Sequence, residues 1–411
     1  MSKPPTRRAA ITAGLVAGCA GASRAPRAFR PIDDVITYEA FGDHRTGTDA
    51  DVETAQWLAA RLSASGFDTR RRPFAVNLFA LEGASVTAGG REIEAFPLWP
   101  ATELRLHGKL GDDDIALVTL PYSANATLAS SAYRTPLVTA AGRARAIVAI
   151  TEGPTNEIIA LNVESDHPLA VPTLLVGGRD GEYLRAASRD QQAARLQVSG
   201  RSLESAAYNV IAARSGRGPT IVVSTPISGW FGCAGERGAG IAVFLALAAW
   251  ARSGLANPLV FVATSGHEFE GLGSRNLFEH DMPPPENTAL WLHLGANLAN
   301  YAVRFENGAP LSTGAISPTR YAGASASLLT DVARVFAGQT GYDRPFDLAA
   351  SATPGDVAIY RDRGYANLVG LVGANPLHHT RHDRAQFVAP QALNDIIASL
   401  RSLLSALGDR P

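Results

Sequence analysis

Six of the nine histidines in this chain of 411 residues follow residue 266: His267, His280, His293, His378, His379 and His382. His267-Glu268 comes directly after the apolar run Leu259–Thr264. His379-Thr380-Arg381-His382-Asp383 comes shortly before an amphipathic run that starts at Pro390. Imidazoles and carboxylates grouped at the ends of strands suit zinc, which takes three protein ligands and keeps a fourth position open for water. Other chemistries lack their residues. Gly271 stands where the second histidine of H-E-x-x-H belongs, so a zincin helix is excluded. There is no G-x-S-x-G nucleophile elbow, and no G-x-G-x-x-G dinucleotide fingerprint follows the first strand. Ser228 has no base near it in sequence.

The elements that must position these residues lie in the second half, where strand and helix alternate. Strands are expected at Thr220–Ser224, Leu259–Thr264 and Ala289–Leu294. Helices are expected at Gly240–Arg252, from Ser274, at Ala324–Ala337 and at Pro390–Leu407. Helix 240–252 is apolar nearly all round and therefore buried. Such alternation predicts an α/β domain with a mainly parallel sheet and helices on both faces, its site beyond the carboxyl ends of the strands. Earlier, Val52, Ala55, Ala59 and Leu62 mark a helix over Asp49–Ala64 that Gly66 ends, and Asp68–Leu78 reads as a strand. Between about Gly89 and Ser205 the texture changes to short buried strands, at Ile115–Leu120, Ala146–Ile150 and Thr173–Val176.

Composition sets the outer limits. Hydrophobic residues make up 46% and charged residues 18%, which excludes a disordered chain. Lys and Arg total 37 against 38 Asp and Glu, so there is no basic surplus for nucleic acid. Two cysteines cannot build a disulfide framework. At the start, Arg7-Arg8 and the apolar stretch Ala9–Ala17 have the order of an export signal and resemble a twin-arginine signal. Val16-Ala17-Gly18-Cys19 resembles a lipobox with Cys19 as lipid acceptor, and Ala20-Gly21-Ala22 is a rival cleavage site. The expected location is the periplasm, soluble or membrane-anchored through lipid on Cys19.

The order of these pieces resembles the M28 family of zinc aminopeptidase-like exopeptidases. Arg45-Thr46-Gly47-Thr48 before the first helix, Asn209-Val210-Ile211-Ala212 before strand 221–224, Glu236-Arg237-Gly238-Ala239-Gly240, Gly266 to Ser274, and His379 to Asp383 are similar to its successive motifs. Ala140 to Ala146 and Val171 to Val176 are similar to a protease-associated (PA) domain. The resemblance implies a phosphorylase/hydrolase-like zinc exopeptidase fold. Its parts would be an export segment and linker (1–30), a first part of the catalytic domain (31–85), a β-rich PA-like insert (86–205) and the remainder (206–411).

Departures from the family pattern bear on the site. Pro226, Ile227 and Ser228 replace the family's H-x-D, which removes a ligand of a second metal. What the resemblance then implies is one zinc held by Glu236, Glu268 and His379, with His293 as a further ligand. His267 would stand in the place of the base; if the motif is anchored instead at Gly271-Leu272, Glu268 becomes the base. The expected activity is hydrolysis of a peptide or small amide. Two alternatives stand beside it: an inactive scaffold, and a single-zinc acyltransferase like the glutaminyl cyclases.

Overall fold

Residues 221–223 show how the sheet is built. Ile221 and Val223 pack into one apolar cluster and Val222 into another, because successive side chains of a strand leave on opposite faces. A strand buried on both faces belongs at the centre of a parallel sheet. In the computed structural model, which describes residues 30–408 apart from 112, 165–168, 279–281 and 351–354, that is its place. The strands Leu368–Gly373, Thr288–Leu294, Thr220–Pro226 and Leu259–Thr264 lie side by side in that order, all parallel. The export segment with Cys19 lies outside the described residues, as does His280.

The strands that adjoin this centre on either side run antiparallel to it. On one side, Leu259–Thr264 pairs with Ala193–Arg214, a 22-residue strand that pairs in turn with Asp68–Ala88. On the other, Arg320–Ala324 pairs with Leu368–Gly373. Helices Pro31–Phe41, Asp49–Ala64, Ala239–Gly254 and Pro390–Gly408 cover one face, supplying Val35, Leu58, Phe244 and Leu400 to its core. Leu277 and Tyr360, from two shorter helices, cover the other. The run Ala234–Gly254 is long and apolar enough to cross a bilayer, yet 89% of its most apolar window is buried inside the protein. It is the core helix.

The two long strands run on beyond the main sheet into a second lobe. There Ile115–Leu120, Ala146–Thr151 and Thr173–Gly177 form a parallel sheet edged by Phe96–Pro97. This lobe has its own apolar core, into which Trp230 and Phe269 of the main domain also pack.

Two expectations need correction. The segment expected to be a helix from Ala324 to Ala337 begins as the end of a strand, and only Leu329–Val335 is α-helical. Pairing with Leu368–Gly373 outweighs the local preference of an Ala-rich stretch. The linker expected to run to Pro31 gives way there to helix Pro31–Phe41, with Pro at its start, where no N–H is needed.

Gly273 shows how closely the chain packs beneath the strand ends. A Cβ at this position would lie 2.0 Å from the Ser265 carbonyl oxygen and 2.6 Å from Asn209 Oδ1. Backbone cannot move aside cheaply, so Gly273→Ala should cost about 3 kcal/mol in denaturant unfolding. An unchanged midpoint would refute this close approach.

Candidate metal centre and its cavity

Glu236 sits in a single π-helical turn, Ala234–Gly238, between the strand Thr220–Pro226 and the core helix. Wide turns of this kind recur at functional sites because they push one side chain out of helical register. The turn is clamped from the far end of the chain. The Asp383 carboxylate accepts hydrogen bonds from the backbone N–H groups of Gly235 and Glu236, both at 2.9 Å. Burial pushes the Asp383 carboxyl up to about 7, with the Glu236 charge adding to the rise.

Two imidazoles face the Glu236 carboxylate. His379 Nε2 lies 3.4 Å from Oε1, and His378 Nδ1 lies 3.6 Å from Oε2. Their tautomers follow from their other partners. His379 Nδ1 is 2.9 Å from the Ala160 carbonyl oxygen, which can only accept, so the proton is on Nδ1 and Nε2 carries a lone pair. His378 Nδ1 is 3.3 Å from the Asn297 amide nitrogen. That amide also donates to the Gly373 carbonyl, while its oxygen accepts from Asn300, which fixes its orientation. His378 Nδ1 is therefore an acceptor too, and burial pushes this imidazole down to about 3, so it is neutral. Burial is the largest single influence on the Glu236 carboxyl and would raise it, but the Arg237 guanidinium, His378 and His379 together hold it well below the usual range. In the neutral ring His379 thus turns the lone pair of Nε2 to the Glu236 carboxylate, while the one lone pair of His378 Nδ1 is taken by the Asn297 amide. Both Glu236 oxygens and His379 Nε2 are buried without a hydrogen-bond partner. Among the described residues these three form the one group of such side chains close enough to share an ion. Bonds of 2.0–2.1 Å to a tetrahedral ion put its ligands about 3.4 Å apart, close to both separations.

The cluster opens on a cavity of 420 Å³ beyond the carboxyl ends of the parallel strands. His378 and His379 line it, as do Pro226, Arg237, His267 and His293. The second lobe adds Ala124–Thr127, Asn162 and Glu164. His267 Nδ1 is 3.0 Å from Asp356 Oδ1, and Asp356 Oδ2 accepts from Ser274 Oγ at 2.6 Å. Burial would raise the Asp356 carboxyl, yet His267 leads the groups that hold it well below the usual carboxylate range. An ionised Asp356 only accepts, so Nδ1 of His267 carries a proton.

Of the residues expected to hold the metal, Glu236 and His379 come together. Glu268 does not join them. Its Oε1 accepts from the Thr46 N–H and hydroxyl, and its Oε2 accepts from Ser228 Oγ at 2.7 Å. With both oxygens taken and the side chain fully buried, it is neither ligand nor base; it ties the Thr46 loop to the strand ends. Ser228 Oγ also accepts from the Gly266 and His267 N–H groups, which leaves it no part as a nucleophile. His293 reaches the cavity but turns Nδ1 to Ser224 Oγ at 2.9 Å and stands outside the three-residue group. His378 was missed as a ligand; its adjacency to His379 was the available signal. Trp230 belongs to the lobe's core and donates to Asn162 Oδ1 at 2.9 Å.

Behind the Glu268 network lies a second buried carboxyl. Asp51 Oδ2 accepts from the Gly47 N–H and from Ser265 Oγ, and burial pushes its carboxyl up to about 8. An unfolded chain releases this proton near pH 3.9. The stabilising contribution is therefore full below about pH 4 and is lost as pH rises toward 8. Asp51→Asn keeps the shape and removes the titration, so its melting temperature should fall less than that of the wild type between pH 5 and pH 8. Parallel curves would refute the assignment.

The fold is shared with solved peptidases. A peptidase M28 precursor from Shewanella amazonensis superposes with a TM-score of 0.73 at 16% identity, covering 92% of this chain and 93% of that one. A zinc aminopeptidase from Bacillus subtilis gives 0.70 at 15% identity, covering 92% and 94%. An aminopeptidase from an Aneurinibacillus species gives 0.64 at 14% identity, covering 93% of each. No curated protein sequence matches the chain. Residues 222–404, which carry Glu236, His267, Asp356, His378 and His379, match the model of peptidase family M28.

Proposed function

We propose that this protein is a metal-dependent hydrolase of peptide or related amide bonds, holding one zinc ion between Glu236, His378 and His379. The reading rests chiefly on buried acceptors without a hydrogen-bond partner: His379 Nε2 and both Glu236 oxygens, of which Oε1 also has the Arg237 guanidinium beside it. One anionic and two neutral ligands suit zinc, and the bond from His379 Nδ1–H to the Ala160 carbonyl is the outer contact that metal-bound histidines ordinarily make. Its relative of similar fold from Bacillus subtilis is a zinc aminopeptidase. Zinc in such a site supplies a Lewis acid that polarises a carbonyl oxygen.

The chain's own residues supply the rest. His267, with a proton on Nδ1, lines the cavity, and its Nε2 takes the proton of the attacking water. Asp356 fixes that tautomer and stabilises the imidazolium that follows, as the carboxylate of a base–orienter pair does. His267 then returns the proton to the departing amine nitrogen. The lobe of residues 86–205, which we take as a PA-like insert, closes one wall through Ala124–Thr127, Asn162 and Glu164 and selects what enters. An export signal over residues 1–30, with Cys19 as lipid acceptor, would deliver this activity outside the cytoplasm.

Metal content tests the site directly. Protein dialysed against zinc should retain close to one ion per chain. Glu236→Gln and His379→Gln should abolish retention, while Glu268→Gln should keep it. Retention by the Glu236 variant, or none by the wild type, would defeat the assignment. For the dyad, Asp356→Asn should lower kcat on aminoacyl anilides at least about 100-fold with KM little changed. Turnover equal to wild type would remove Asp356 from the mechanism.

A further inference from the structure

Two guanidinium groups line the cavity, and only one of them has its Nη hydrogen bonds made. Arg275 gives its Nη atoms to the Glu270 and Phe269 carbonyl oxygens. Arg237 is anchored through Nε, which donates to the Ser228 carbonyl oxygen at 2.9 Å. Its Nη2 lies 2.5 Å from Glu236 Oε1, yet outside hydrogen-bonding geometry, and it has no other partner. The side chain is 1% exposed, so no bulk water satisfies it. Two further carboxylates at the cavity are already engaged, Asp356 by His267 and Ser274 and Glu270 by the Thr127 hydroxyl. A buried N–H without an acceptor is costly, and a fixed guanidinium fork matches two oxygens on one carbon.

We propose that Arg237 is the anion-receiving group of the cavity: it donates to the oxygen of the reacting carbonyl as that oxygen gains charge, and then to the carboxylate of the product. The proposal rests on the hydrolytic reading above. In that reaction the water oxygen bonds to the carbonyl carbon and the water proton passes to His267. The C–N bond then breaks with its electron pair on nitrogen, which takes the proton from His267. Arg237 changes no bond; it holds the oxygen on which the negative charge collects. Because its charge is set against the ligand Glu236, the group it receives lies beside the metal position rather than at the cavity's far wall. Preorganised donors of this kind act without reorganising at the moment of reaction.

The experiment uses butyrate as a simple carboxylate, titrated by NMR into the whole protein in both zinc-loaded and chelator-treated forms. Arg237→Lys keeps the charge and loses the fork; Arg237→Met loses both. Each should weaken butyrate binding at least ten-fold in both forms, and each should lower kcat with little change in KM. Zinc per chain should stay as in the wild type. Where Arg237→Met fails to fold, Arg237→Lys carries the test. Butyrate affinity and kcat unchanged in Arg237→Lys would overturn the proposal even if zinc binds and amides are cleaved. So would a wild type that binds no butyrate. Conversely, a protein that retains no zinc and cleaves nothing, but binds butyrate only with Arg237 intact, would sink the hydrolase reading and leave the anion site standing.

Discussion

Acceptors repel, and this protein forces three of them together. His378 Nδ1 and His379 Nε2 lie 3.6 and 3.4 Å from the Glu236 oxygens, with the Arg237 guanidinium on the same carboxylate. Such a cluster of acceptors is unfavourable unless positive charge stands beside it. Each side chain is therefore held from behind. Asp383 grips the turn that carries Glu236, Ala160 sets the tautomer of His379, and Asn297 sets that of His378. The rest of the site is arranged around a place for positive charge.

Those restraints come from distant parts of the chain, and they explain why the second lobe is integral to the site. Ala160 accepts from His379 Nδ1 and donates its N–H to the His379 carbonyl. Val163 donates its N–H to the Glu268 carbonyl, and Asn162 accepts from Trp230. The lobe thus sets the position of His379, a proposed metal ligand, and of the loop after strand Leu259–Thr264, besides walling the cavity. His379 itself has φ +58, a conformation uncommon for a residue with a Cβ, and bonds to Ala160 on both its backbone and its ring offset the local cost.

Much of the fold was legible because burial leaves a periodic trace. Strand Leu259–Thr264 and helix Asp49–Ala64 stand where their patterns put them, and Gly66, at φ +85, ends the helix. What misled was local preference against distant pairing. An Ala-rich segment near Ala324 became a strand because Leu368–Gly373 offered an edge on which it pairs antiparallel. The strand Ala193–Arg214 was seen only near its end, at Asn209–Ala212. Its earlier half alternates small and polar residues, and its partner lies more than a hundred positions away.

At the site the division runs along the same line. Sequence alone supplied the residue types: imidazoles and carboxylates after the strands, a carboxylate at Glu236, a histidine at 267 in the place of a base, and no second-metal ligands at Pro226 and Ser228. It could not say which of two adjacent carboxylate and imidazole positions turns inward, because one step along a loop reverses the direction of a side chain. Tertiary structure decided that Glu268 points away to Thr46 and Ser228, that His378 joins His379, and that Asp356 stands behind His267. Each of these depends on a partner dozens to hundreds of residues distant, and orientation relative to such a partner is a property of the packed chain.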